Sequence, residues 1–222
     1  MHTVLPQADV GDFRISHFEV TADAIDKWRE YFTRTGNLTG LKQYESLQPG
    51  IYVRLTSSYT GWMDDSHYER QTNEAFLQAA FGDVLIAGLG LGMLPTALLR
   101  DPSIRSVTVL EIQPEIIDLV HPHIRDPRLT VLRVDATRPP FRGRHFDSIY
   151  LDIWPDINGR NWPPMKALLD DYRAYARDGG IVMAWLEDEV RAAYERAGVW
   201  PRLKSSGMLI GRSHDGNRHK TD

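Results

Sequence analysis

Between residues 83 and 185 the hydrophobic positions fall in short unbroken runs, not in alternation. DVLIAGLGLG, VTVLEIQPE and LTVLRVDA are followed by SIYLD and IVMAW, and charge gathers at the carboxyl ends. Continuous apolar runs are what strands covered on both faces require. They predict strands at 84–87, 107–111, 130–134, 148–152 and 181–185, with a last one near 208–210. Between them the apolar period lengthens to that of a helix. Helices are expected at 70–81 (Phe76, Leu77 and Ala80 inward), 91–99, 114–120 and 188–197. Another opens at Pro163-Pro164, carries Met165, Leu168, Leu169, Tyr172 and Tyr175, and is expected to stop at Gly179-Gly180. Strands alternating with helices of this length imply right-handed βαβ units and a parallel sheet.

The first third reads differently. Residues 1–10 look loose, and 13–20 predicts a strand followed by Thr21 as a helix N-cap. Ile25, Trp28, Tyr31 and Phe32 make one face of a helix that Gly36 can end. Pro49-Gly50 is a turn signal, and 51–55 with 59–63 predicts a hairpin. The expected organisation is a mixed α+β extension over 1–62, the main sheet over 63–213 and a flexible tail over 214–222.

Composition narrows the function classes. At 222 residues, with 42% hydrophobic and 25% charged residues, the chain has material for one well-buried core. A net charge of −4 supplies no general attraction for nucleic-acid phosphates, so a nucleic-acid partner is not expected. The absence of cysteine excludes disulfides, zinc thiolates and thiol nucleophiles. The opening MHTVLPQADVGDF lacks a basic segment before an apolar core, and no apolar run reaches membrane-span length. The expectation is a cytoplasmic protein without a membrane partner.

Candidate chemistry lies at the strand ends. Gly88, Gly90 and Gly92 stand where the first run turns into a helix. Glycine permits positive φ and close backbone approach. The G-x-G-x-G spacing puts Met93 where a dinucleotide fingerprint needs its third glycine, which argues against NAD or FAD. Glu111, 19 residues after Gly92, ends the second run and can accept from both hydroxyls of a ribose. Asp135 can accept from an adenine amine, or can simply cap the next turn. The glycine turn, Glu111 and Asp135 form a spaced set in which each member strengthens the others as a nucleotide site across the sheet rim.

The set resembles the class I S-adenosylmethionine-dependent methyltransferase superfamily, most closely its spermidine-synthase-like branch. VLIAGLGLG is similar to that branch's VLIIGGGDG, VTVLEIQPEII to VTLVEIDPEVI, and FDSIYLDIW to YDVIILDSS. WMDDSHYERQTNEAF resembles, more loosely, the segment before its glycine loop, and the likeness covers roughly 61–187. It implies a Rossmann-like doubly wound, mostly parallel α/β sheet with S-adenosylmethionine as cofactor. Gly88, Gly90 and Gly92 would then line the methionine side, Glu111 the ribose, and Asp135 with Ala136 the adenine.

Two departures bear on the reaction. In aminopropyltransferases the glycine turn carries an acid that holds the aminopropyl amine, where this chain has Leu91. A catalytic acid three residues beyond the fourth strand's terminal acid is replaced by Pro155. Ile86 stands where many methyltransferases have an acid and this branch a hydrophobic residue.

Asp152 in the segment DIWPD is the expected group for orienting or deprotonating an acceptor, with capping of its loop as the alternative. Trp154 can pack on substrate or in the core, and Asp64, Asp65 and Tyr68 can belong to a lid over the site, with surface turn chemistry as the alternative for Asp64-Asp65-Ser66. The segment lacks the N-P-P-Y pattern of nucleic-acid amino-methyltransferases. His121 and His123 have no third ligand nearby in sequence, so no metal is expected. The favoured expectation is methyl transfer to a small-molecule acceptor. Aminopropyl transfer from decarboxylated cofactor and a non-catalytic adenosyl-nucleotide-binding module are the alternatives, and an open sheet edge allows a homodimer.

Overall fold

A computed structural model describes residues 5–36, 47–57 and 61–198. Five strands form the central sheet: β5 (Gly82–Ala87), β6 (Ile104–Glu111), β7 (Leu129–Arg133), β8 (Phe146–Leu151) and β9 (Ala176–Ala184). Their order is β7-β6-β5-β8-β9 and every pair is parallel. Counted within the sheet this is 3-2-1-4-5, the Rossmann-like doubly wound order.

The unbroken apolar runs are explained by burial from both sides. Val84 and Ile86 face a cluster with Phe76, Leu94, Leu98, Ile116 and Leu119. Leu85 and Ala87 face the other, with Met165, Leu168, Leu169, Tyr172 and Val190. Those side chains come from α3 (Glu74–Ala79), α4 (Met93–Leu98) and α5 (Pro114–Val120) on one face. On the other they come from α6 (Trp162–Tyr172) and α7 (Glu187–Gly198). Each fully buried Val, Leu or Ile stabilises the fold by about 1.5–3 kcal/mol over leaving it in water.

Ahead of this sheet, β1 (Ala8–Val10), β2 (Phe13–Val20), β3 (Gly50–Ser57) and β4 (Gly61–Asp64) form an antiparallel sheet in that order. Phe13, Ile15, Val53 and Leu55 join it to the first core cluster. Helix α1 (Ala22–Thr35) starts on Thr21, whose hydroxyl accepts the Ala24 amide, and ends on Gly36 at φ +68°. The stretch expected to be loose contains β1, which pairs with β2 through a turn at Gly11, φ +55°. A single glycine reversing the chain is enough to recruit it.

Two further expectations are corrected. The helix expected over 70–81 is two short ones, α2 (His67–Thr72) and α3, broken at Asn73. There the Asn73 side-chain amide donates to the Glu69 carbonyl, a local bond that competes with the helical ladder. Gly179-Gly180 does not stop α6, which ends at Tyr172 and passes through a single 3₁₀ turn into β9. The glycines lie inside β9, opposite a register shift between Phe146 and Ser148, so they serve a bulge. The strand expected near 208–210 and the tail lie outside the described residues. No helix among the described residues is long and apolar enough to cross a membrane.

Candidate functional site

The strand order reverses between β5 and β8, and the carboxyl ends of those strands carry Gly88 and Asp152. Ligands of open parallel sheets sit in the crevice at such a reversal. The two ends are stitched together, since the Asp152 amide donates to the Ala87 carbonyl at 2.8 Å. Glu111 ends the neighbouring strand β6.

All three turn glycines have positive φ: +100° at Gly88, +50° at Gly90 and +69° at Gly92. Protein atoms occupy the space a side chain would need at each. A Cβ at Gly88 would run into the Asp152 carbonyl oxygen. One at Gly90 would stand 2.5 Å from the Met63 sulfur, and one at Gly92 2.6 Å from Ile124 Cδ1. The glycines are therefore required by backbone conformation and by packing, whatever binds above them. Leu91 is turned into the core, only 1% exposed.

Glu111 is buried, yet both its carboxylate oxygens are placed at the rim. Oε2 accepts the Leu89 amide of the glycine turn at 2.9 Å, and Oε1 accepts the Gln113 amide at 2.8 Å. Two backbone donors from different loops fix the carboxylate between the turn and the start of α5. Each oxygen keeps further acceptor capacity, since a carboxylate offers about four lone-pair sites. Beside it Ile112 is 55% exposed, and across the rim Ile153 is also exposed. Exposed apolar side chains at the ends of buried strands offer an apolar flank for a planar ring. A fixed carboxylate with acceptor capacity to spare can take hydrogen bonds from paired hydroxyls. Sequence reasoning missed Ile112 and Ile153, although their places directly after Glu111 and Asp152 were a readable signal.

Asp135 accepts the amide and hydroxyl of Thr137 through Oδ1, and those bonds lower its pKa. It is the turn cap that the alternative reading anticipated. Ala136 is buried, and its carbonyl accepts the Tyr172 hydroxyl at 2.7 Å. The loop after β7 is thus held from below by a tyrosine of α6. Sequence periodicity had marked Tyr172 only as an apolar face residue; its hydroxyl was the missed signal.

Asp65 is corrected as a substrate-contacting candidate. It is 1% exposed, and its carboxylate accepts the Val53 amide at 2.7 Å while its own amide returns to the Val53 carbonyl. It locks the end of β4 onto β3. Trp154 packs partly buried against the second core cluster, the inward alternative of its two readings.

A group that the sequence did not single out stands by Asp152. Burial, then the charges of Asp64 and Asp152, push Glu69 up to about 7. Burial pushes Asp152 up to about 7 as well. Tyr68 is raised by burial and by Glu69 and Glu189, and Tyr150 by burial and by Asp152 and Glu189. Four carboxyls from β4, α2, the end of β8 and α7 therefore act on one neighbourhood, with the α2 wall anchored by a Trp185 indole bond to the Thr72 hydroxyl. Among the described residues no group of three His, Cys, Asp or Glu could hold a metal ion.

No protein-family model matches the chain, and no curated protein does. Among solved structures it is similar to the N-methyltransferase NodS of Bradyrhizobium japonicum, at 19% identity and TM-score 0.42 over 53% of this chain and 67% of that one. It is similar to a ribosomal protein L11 methylase of Lactobacillus delbrueckii at 16% and 0.43, over 59% and 68%. A third likeness is to spermidine synthase of Thermotoga maritima at 15% and 0.47, over 66% and 55%. The chain thus spans between 55 and 68% of the length of these three proteins.

Proposed function

We propose that this chain binds S-adenosylmethionine across the β5/β8 reversal and transfers its methyl group to a small acceptor bearing an amine. The observation that carries the cofactor is Glu111, a buried carboxylate fixed by two backbone donors at the end of β6 with acceptor capacity left over. Ile112 and Ile153 would flank the adenine, and the loop of Asp135 and Ala136 would border it. When bound, the cofactor supplies a methyl group on positively charged sulfur.

The chain's own residues would do the rest. Two carboxyls with pKa raised to about 7, Glu69 and Asp152, would face the acceptor. A cation beside Glu69 would offset the charges of Asp64 and Asp152 upon it, so the neighbourhood favours an ammonium group. An amine attacks only through its lone pair, so the ammonium must first lose a proton. Asp152, poised near neutrality, is matched to that task. Glu69, Asp64 and Glu189 would hold the positive charge near it, and Tyr68 would border the acceptor beside Glu69.

Aminopropyl transfer from decarboxylated cofactor is the second reading, and the same acidic neighbourhood favours it. Leu91 and Pro155 weigh against it, because Leu91 is buried in the core and proline offers no carboxylate. The test is to incubate the protein with methyl-labelled S-adenosylmethionine, or with decarboxylated cofactor, and a panel of primary and secondary amines. Label in an amine product identified by mass spectrometry is the expected result. Product only from the decarboxylated cofactor would establish the second reading, and none from either would leave a binding module.

A further inference from the structure

The antiparallel sheet reaches the glycine turn through Met63 on β4. Its thioether lies against Gly90, where a Cβ would come within 2.5 Å of Sδ and 3.3 Å of Cε. The same sulfur accepts the Leu91 amide at 3.3 Å. The neighbouring turn amides are bonded within the central sheet and its loops: Gly88 to the Leu110 carbonyl, Leu89 to Glu111 and Gly92 to the Leu89 carbonyl. Leu91 alone among these four sends its N–H to a side chain of the other sheet.

We propose that Met63 is a positioning residue for the cofactor turn, a thioether clamp by which β4 sets the turn's conformation. The proposal rests on the reading that this turn borders the cofactor. Three features make the clamp specific. An unbranched thioether is slender enough to enter the space beside a glycine in the left-handed region. Its sulfur is a weak acceptor, but an amide in a partly buried turn left without one loses the full cost of its desolvation. The clamp is itself seated: Met63 pairs with Leu55 across the sheet beside a register shift, and the buried Asp65 carboxylate fastens the strand end two residues on. A shift of β4 would therefore be transmitted to the turn, and through Leu89 to Glu111.

The test compares Met63→Leu, which keeps most of the volume and removes the acceptor, with Met63→Gln, which is unbranched as far as Cγ and carries an oxygen acceptor one bond beyond the place of the sulfur. Amide NMR of the full chain and calorimetric titration with S-adenosylmethionine are the two readouts. Met63→Leu should shift the Leu91 amide proton upfield and weaken cofactor binding roughly 2- to 5-fold, less than the value of one ordinary neutral hydrogen bond because the sulfur is a weak acceptor and acts through the turn. Met63→Gln should return the Leu91 amide downfield and restore most of the affinity. A Leu91 resonance unmoved in Met63→Leu, or equal affinities in all three proteins, would overturn the clamp. If wild-type protein takes up no cofactor, the functional reading fails, and the Leu91 resonance in the two variants decides the clamp alone.

Discussion

Asp152→Asn lowers turnover by roughly 10²–10⁴-fold, the range for loss of a positioned general base, and spares cofactor affinity. The asparagine is close to isosteric and keeps the loop, because the anchor of this residue is its backbone amide on the Ala87 carbonyl. What it removes is proton acceptance. Burial holds the Asp152 carboxyl up to about 7, so the wild-type rate should rise with pH to a plateau above neutrality. In the variant that inflection should be lost.

Stability should move the other way. A carboxyl whose pKa is raised by folding contributes stability that is fully present below its unfolded pKa and lost as pH rises through about 7. Asp152→Asn should therefore melt several degrees higher than wild type at pH 8, by up to about 10–15 °C, and at nearly the same temperature at pH 4. Lower activity with greater stability at pH 8 marks a functional carboxylate; loss of both would mark a structural one.

Gly88→Ala destabilises the protein by about 3–4 kcal/mol, seen as a lower midpoint in urea. Two costs combine. At φ +100° an L side chain is strained, and the new Cβ runs into the Asp152 carbonyl oxygen. The opposing atom belongs to the backbone, so no rotamer change relieves the clash; β5 and β8 must part at the rim. Gly179→Ala is the control. Its φ of +77° also strains an L residue, but nothing lies within 4 Å of the added carbon. It should cost only about 1–2 kcal/mol, the conformational share alone. Equal losses at the two sites would mean that the close approach of β5 and β8 contributes nothing.

The central sheet was legible because its strands are buried on both faces, and two-sided burial leaves an unbroken apolar run that admits few other readings. Glu111 was legible for a related reason: a carboxylate ending such a run has nowhere to go but the rim. The segment 64–73 was read less well. Asp64 and Asp65 are adjacent on the chain but point to opposite surroundings, one beside Arg54 and the other into the Val53 backbone. Strand parity separates them, yet the sequence does not say which parity holds until β4 is paired with β3. Glu69 was invisible for the same kind of reason. Its raised pKa comes first from burial and then from the charges of Asp64 and Asp152, the latter 83 positions away along the chain, and only the fold brings these together.

The glycines show the converse. They were read for the room they leave a ligand, and the structure fills that room with Met63, Ile124 and the Asp152 carbonyl. A glycine-rich turn so explained is a necessary scaffold for an adenosyl site and says little by itself about occupancy. The weight therefore falls on the acid of β6.

Calorimetric titration of S-adenosylmethionine into wild-type protein and into Glu111→Ala bears most directly on that acid. A single site in the wild type, weakened by about 1.5–3 kcal/mol in a still-folded variant, is the predicted result for hydrogen bonds to a charged acceptor. Equal affinity in the two proteins, or no heat from either, would contradict it.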